Sequence, residues 1–575
     1  MDAAGPVGLV TWDYWLNQWP VVPVALTRAN AADGYPKALT PLSQDLVLRF
    51  EEAGARRFYF ESLKALRAGD CPAPFMQAYY GLVYLNADQM GDLGDAMPGS
   101  TRFGMFQTIL GLEPDPGFVL PTATLGQRLS DARAGARVGP RVLRLASRAK
   151  ARIESQIAAI EEVRPANPDT VTREEAGQWL ARLEGLQVPA WETLMIGAAI
   201  AMAFFESAEK VVSRFAGGDG RDLTNRLHVG LGGNESAESG LAIRALAALA
   251  RTRPATLAAL ECHDPVAIVA ATDSDFAAEL QRVIVRFGHR APAELELSNP
   301  SWRADPGQLL DVVRIELQRA APTDAANAIR TDAEAELASR VKGIKAKVVG
   351  AVLRRSRDLM AVRENAKVPI VRVFDETRRL LAAVAPGLVS DGVLPDVGAV
   401  TLLRYDELCS VLAGGNGPGV GELGRRRSEH DRCLALDLPE LVLADASGLH
   451  PLDDGFMRAR GLLPPARVDL SADRLVGIGA SPGQLTGTAR VLLDPFEDFE
   501  PGDVLFAKTV DPGWAPVLSC AGAVVLDMGG LMSHGAVVAR ELGIPCVVNV
   551  KSGTAVAQTG NKVTVDGSAG EVHLA

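Results

Sequence analysis

Apolar residues recur at helical spacing through most of the chain. In REEAGQWLARLEGL, PAWETLMIGAAIAMAFFESAEKVVSRF and AESGLAIRALAALA, all between residues 140 and 285, the spacing predicts long amphipathic helices, packed closely through their many alanines. Residues 330–385 continue as one or two long helices with basic and acidic residues on one face. Residues 50–120 read as helix and loop, with a break at Pro98 and Gly99, and residues 396–415 read as a strand-to-helix turn closing the helical region. The first fifty residues are mixed: Trp12, Trp15 and Trp19 suit a core or a pocket lip, and a loop at 27–46 turns helical, with Ser43 or Asp45 a sound N-cap. The proline-bearing stretch 457–474 suits a linker that, extended, reaches on the order of 55 Å. Near the C-terminus, small and apolar residues run through Ala539, Arg540, Glu541 and Leu542 at helical spacing. Gly543 and Pro545 stop that run, and Val547 and Val548 read as the start of a strand.

Composition narrows the classes. The chain has 575 residues, 47% of them hydrophobic, enough for about three or four domains with a large core. A net charge of −11 with no basic run argues against a nucleic-acid partner. Cys71, Cys262, Cys409, Cys433, Cys520 and Cys546 form no CxxC pair and no metal spacing, so they read as reduced thiols of a cytoplasmic protein and no metal ligands are assigned. The N-terminus shows no signal peptide, and IGAAIAMAFF (196–205) is too short to span a membrane.

The chemistry concentrates at GGLMSHG, residues 529–535. Two glycines bend the chain before His534, which then sits at the mouth of a short helix whose free N–H groups favour an anion. A neutral imidazole there is a competent nucleophile for a phosphoryl group. Taken alone, the same residues suit a buried or capping histidine.

A resemblance bears on that choice. GIGASPGQLTGTARV (477–491), PGDVLFAKTVDPGWAPVL (501–518), AGAVVLDMGGLMSHGAVVARELGIPCVV (521–548) and GNKVTVDGSAGEVHL (560–574) occur in the order seen in the swivelling phosphohistidine domain of the phosphoenolpyruvate-utilising enzymes. The whole chain resembles the substrate-binding and phosphohistidine parts of rifampin phosphotransferase and phenylphosphate synthase-like members, without their ATP-grasp domain. The resemblance implies a large, mainly α-helical substrate-binding domain at 1–456, a linker at 457–476 and a small α/β swivelling phosphohistidine domain at 477–575. It implies that His534 carries the phosphoryl group, with Thr509, Ser533, Gly530, Gly535 and Arg540 around it. Ser533 equally suits a helix cap, and pairing with Glu541 is the first reading for Arg540.

Two further stretches are similar to the same family. RVIVRFGHRAPAELELSNPSWRADP (282–306) matches through Gly288, His289, Arg290, Glu294, Pro300 and Trp302. Arg290 suits a phosphoryl clamp and His289 a base for an acceptor hydroxyl, whereas Glu294, assigned with Asn30 and Ser43 to substrate binding, equally suits a buried ion pair. Asn30, Thr40, Pro41, Leu42 and Ser43 echo the entry to the family's substrate domain. Arg363, Glu364 and Lys367 echo a family helix, although a solvated, salt-bridged face is the plainer reading. LHVGLGGNESAESG (227–240) lacks the lysine of a phosphate loop and reads as an inter-helix turn. MQAYYGLVYLNADQM (76–90) suits core packing or a pocket wall.

The resemblance therefore implies a phosphotransferase subunit. ATP and Mg2+ are expected on a separate ATP-grasp partner, with no cofactor held tightly by this chain, and the acceptor is expected to be a phenol or an alcohol. The alternatives are a protein-to-protein relay and a scaffold whose histidine is idle.

Overall fold

The computed structural model describes residues 15–574, except residues 30, 67–72, 97–100, 109–114, 116–124, 166, 168–169, 218–219, 234, 262–273, 318–324, 437, 453, 460–472, 494–496, 498 and 532. Asn30, Trp12, Cys71, Cys262, the Pro98–Gly99 break and most of the expected linker lie outside the described residues. The chain divides into two compact units, one of Met1–Ile196, Leu295–Ser298 and Pro369–Arg467, the other of Gly197–Glu294, Asn299–Val368 and Val468–Ala575.

In the first unit, helices Pro41–Arg56, Leu125–Glu162 and the first part of Arg173–Ala216 share a core with Val368–Ser390. Gly54 lets Pro41–Arg56 touch the long helix closely, since a Cβ there would lie 2.4 Å from the Trp191 Cβ. The unit also holds a five-stranded antiparallel sheet in the order β2-β3-β1-β4-β5, with β1 Val24–Thr27, β2 Met76–Tyr79, β3 Leu82–Asn86, β4 Leu441–Asp445 and β5 Gly448–Pro451. This corrects the helix-and-loop reading of 50–120. Tyr80 and Gly81, with φ of 53° and 74°, make the tight turn that returns β2 into β3, a geometry whose twist suits a two-residue hairpin. Tyr79 and Tyr84 are fully buried, and Trp19 stacks on Tyr79 at 4.9 Å, so these aromatics are core. Trp15 lies 4.2 Å from the Arg426 guanidinium.

Three other expectations shift. The helix of the TPLS stretch begins at Pro41, with Thr40 as the N-cap rather than Ser43 or Asp45. Proline is favoured there because its missing N–H would have no helical partner. Residues 396–415 contain no strand: a 3-10 turn, Val397–Leu402, is opened by the Asp396 carboxylate accepting from the Ala399 N–H, and helix Tyr405–Leu412 follows. The segment 196–205 lies inside helix Arg173–Ala216, which is long and apolar enough by length and composition to cross a membrane. Half of that apolar window is buried inside the protein. The same helix carries buried Glu192, paired with Arg152 at 2.5 Å and Arg57 at 3.2 Å, as a core helix does.

In the second unit, helices Glu235–Arg251, Ser274–Phe287 and Pro306–Leu317 enclose Leu246, Phe276, Phe287, Trp302, Leu309 and Val313. Trp302 of the Pro-x-Trp match is therefore a core residue. The C-terminal part is α/β, with an eight-stranded sheet in the order β6-β13-β12-β8-β9-β10-β11-β7. Its strands are β6 Arg474–Val476, β7 Ile478–Ser481, β8 Gln484–Val491, β9 Val504–Ala507, β10 Ala523–Leu526, β11 Cys546–Val548, β12 Lys562–Asp566 and β13 Glu571–Leu574. Strands β8, β9, β10 and β11 run parallel. VLFA, AVVL and CVV are buried at every position, which is why they read as continuous apolar runs rather than alternations.

Candidate functional site

Beyond the carboxyl end of β10, the chain turns through Gly529, at φ 119°, and enters helix His534–Leu542. Sites at the carboxyl ends of parallel strands are the rule in open α/β sheets. The Ser533 N–H donates to the Gly530 carbonyl at 3.0 Å, so Gly530 closes the turn. Ser533 is the N-cap, but its side chain does not cap: the hydroxyl is buried and has no hydrogen-bond partner among the described residues. Gly535 is required by space, because a Cβ there would lie 2.5 Å from Val510 Cγ2 and 2.6 Å from Leu526 Cδ1. Gly543, left-handed at φ 68°, ends the helix as its sequence implied. Thr509 lies two residues beyond β9 and is half-buried.

The His534 ring is 7% exposed. Its Nδ1 stands 3.9 Å from a carboxylate oxygen of Glu364. Burial holds the imidazole well below its ordinary range, and the charges of Lys367, Arg290 and Arg363 push in the same direction. The ring is therefore neutral at physiological pH, with a lone pair available.

The cations around it sit in different surroundings. Burial opposes the Arg290 guanidinium, but Glu294, Glu235 and Glu364 outweigh it, and Arg290 Nη1 donates to Glu294 at 2.8 Å. Lys367 is held below the usual lysine range by burial, which Glu294 and Glu364 partly offset. Arg363 pairs with Glu364, which is 5% exposed. The solvated-face reading of this helix end is corrected at that residue: its carboxylate points inward to the histidine.

Arg540 is buried, and burial pushes it down to about 10. Its Nη2 donates to the Leu531 carbonyl at 2.6 Å, while Nη1 has no hydrogen-bond partner among the described residues. The expected pairing with Glu541 is not formed; Glu541 instead accepts from the Gly232 N–H at 3.0 Å. Asp511, in the loop after β9, is buried and pushed up to about 7 by that burial, while it accepts from the Gly513 N–H at 2.6 Å.

His289 is buried with Nε2 2.7 Å from Glu235. Glu294 forms the ion pair with Arg290. Ser43 belongs to the first unit, where its hydroxyl bonds Thr40 at 2.9 Å and Glu296 at 3.1 Å. The structure thus collects His534, Ser533 and Arg290 with four residues the sequence did not assign to the site: Arg363, Glu364 and Lys367, whose plainer reading was a solvated face, and Asp511. The four-residue spacing of Arg363 and Lys367 at a helix end was the available signal.

A buried histidine at a helix mouth, with Arg290, Lys367 and Arg363 acting on it and a parallel sheet behind it, is the arrangement that phosphoryl transfer needs. Residues 499–570 match the family described as PEP-utilising enzyme, mobile domain, and residues 192–364 match the rifampicin phosphotransferase fourth domain. The two matches lie on separate parts of the chain, one similar to a PEP-utilising mobile domain and the other to a domain of rifampicin phosphotransferase. It is 27% identical over 429 residues to the prodigiosin synthesizing transferase PigC of Serratia marcescens, covering 70% of this chain and 46% of that protein. It is 28% identical over 380 residues to the rifampicin phosphotransferase of Streptomyces sviceus, covering 62% and 41%. To a rifampicin phosphotransferase of Streptomyces sp it is 30% identical over 368 residues, covering 59% and 40%. The chain thus spans less than half the length of these relatives.

Proposed function

We propose that this chain is the phosphoryl-carrying and phosphoryl-delivering component of a two-component phosphotransferase. A separate ATP-grasp polypeptide, holding ATP and Mg2+, loads His534: a ring nitrogen bonds to phosphorus as the phosphorus–oxygen bond to the nucleotide breaks. The oxygen of a phenol or alcohol, bound by the helical part, then attacks phosphorus as the phosphorus–nitrogen bond breaks. The hydroxyl proton passes to His289, which Glu235 orients. Lys367, Arg290 and Arg363 balance the charge on the transferring oxygens, the main demand of this chemistry.

The observation that carries this reading is the buried, neutral His534 facing those cations. The name rifampicin phosphotransferase describes phosphoryl transfer to an organic molecule, which agrees with it. The test incubates the chain with ATP labelled at the β- or γ-phosphoryl and an ATP-grasp polypeptide encoded beside it. Acid-labile label on His534, absent from His534→Ala and chased by phenols or alcohols, is expected. Label that leaves only for another protein would establish a relay; no label under any condition would leave His534 idle and overturn the proposal.

A further inference from the structure

The glycine-rich stretch 229–233 has no part in that reaction, yet its backbone already holds an acidic side chain. Gly230, Gly232 and Gly233 have φ of 59°, 64° and 73°, and in such alternating turns successive N–H groups converge on one point. What they converge on is a carboxylate of this chain. Gly232 N–H donates to Glu541 Oε2 at 3.0 Å, and the Gly232 and Leu231 backbones favour its ionised form against a burial that pushes the carboxyl up to about 7. Gly230 N–H donates to the Arg540 carbonyl at 3.1 Å, so the loop grips both backbone and side chain at the far end of helix His534–Leu542.

The loop is braced to do so. Asn365 Nδ2 donates to the Gly233 carbonyl at 3.1 Å, Asn365 Oδ1 accepts from the Glu235 N–H at 2.9 Å, and Arg330 Nη1 donates to the Val229 carbonyl at 3.0 Å. Gly543 is part of the same fit, because a Cβ there would lie 2.6 Å from the Ala326 backbone nitrogen.

Glu541 and His534 are seven residues apart, so they share one face of their helix, about 10 Å apart along its axis. Helix Ile344–Asn365 meets both ends of that face: Glu364 stands beside His534, and Asn365 holds the loop that holds Glu541. We infer that the 230–232 loop is a latch for the mobile domain, and that Glu541 is a positioning residue whose carboxylate, seated in it, fixes His534 against Lys367 and Arg290. This rests on the terminal domain being a mobile carrier. Removing this buried acceptor is expected to release the latch about tenfold or more.

The test uses the intact, uncharged chain, so it needs neither the loading partner nor an acceptor. Carbethoxylation of His534 by diethyl pyrocarbonate is followed by peptide mass spectrometry, beside amide exchange of the peptide containing residues 230–232. In Glu541→Ala, His534 is expected to react about tenfold faster, with faster exchange in that peptide and unchanged exchange in β9 to β11. Glu541→Gln, whose amide oxygen still accepts the bonds, is expected to fall between alanine and the native chain. Unchanged rates in Glu541→Ala, glutamine no better than alanine, or lost protection spreading through β9 to β11 would each overturn the latch.

Discussion

At the scale of single residues, the centre works because burial and charge act oppositely on neighbours. Burial and three cations strip His534 of its proton, while carboxylates hold Arg290 charged in the same interior. Lys367 stands without a carboxylate at ion-pair distance among the described residues, so its charge is the one least committed to the protein. Lys367→Met is expected to lower transfer from phosphorylated His534 by on the order of 100-fold, read by single-turnover loss of label. Asp511 offers a pH test. Its carboxyl titrates near 7 when folded against an ordinary 3.8, so its contribution to stability is full below about pH 4 and is lost as pH rises through 7. Asp511→Asn stays neutral, so its stability relative to the native chain is expected to be greater at pH 8 than at pH 5, by a few kcal/mol at most, in urea titrations. His534 was legible because its glycines, helix and stop signals are contiguous. Glu364 was not: a glutamate between an arginine and a lysine on a helix looks solvated until a second segment covers it.

At the scale of elements, close approach decides more than propensity. Helix His534–Leu542 starts against Val510 and Leu526 with room only for hydrogen at position 535. Gly535→Ala is expected to destabilise the second unit by about 1–3 kcal/mol and slow phosphorylation of His534, measured by denaturation and by label uptake. The long helix Arg173–Ala216 poses the converse question, since its apolar stretch alone could enter lipid. Glu192 answers it: Glu192→Ala leaves Arg152 and Arg57 without their buried partner and is expected to cost about 3 kcal/mol in denaturant unfolding of the first unit. Long helices were readable because their period repeats over many turns. The hairpin of β2 and β3 was not, because each strand is only four or five residues long and its alternation is hidden by burial on both faces.

At the scale of the whole molecule, strands far apart in sequence complete each other. β1 lies between β3 and β4, with Ala25 opposite Leu443, and Leu443 also faces His450 of β5. Proline at a central ladder position removes a donor and does not fit the pairing. Leu443→Pro is therefore expected to raise amide exchange across Val24–Thr27, more than four hundred residues upstream by number, while β9 to β11 keep their protection. The second unit is likewise discontinuous, drawing residues 197–294, 299–368 and 468–575 together.

The sequence by itself determined the pieces whose causes are local: the helical body, the buried parallel strands near the C-terminus, and a histidine set at a helix mouth by glycine and ended by glycine and proline. Those depend on backbone conformation and on periods of a few residues. Only the tertiary structure decided which charges face that histidine, where Glu541 is held, and that two distant hairpins share a sheet. Burial and ion pairing depend on distance in space, and a chain carries no record of which of its many carboxylates and cations will be brought within a few ångströms until its segments have packed.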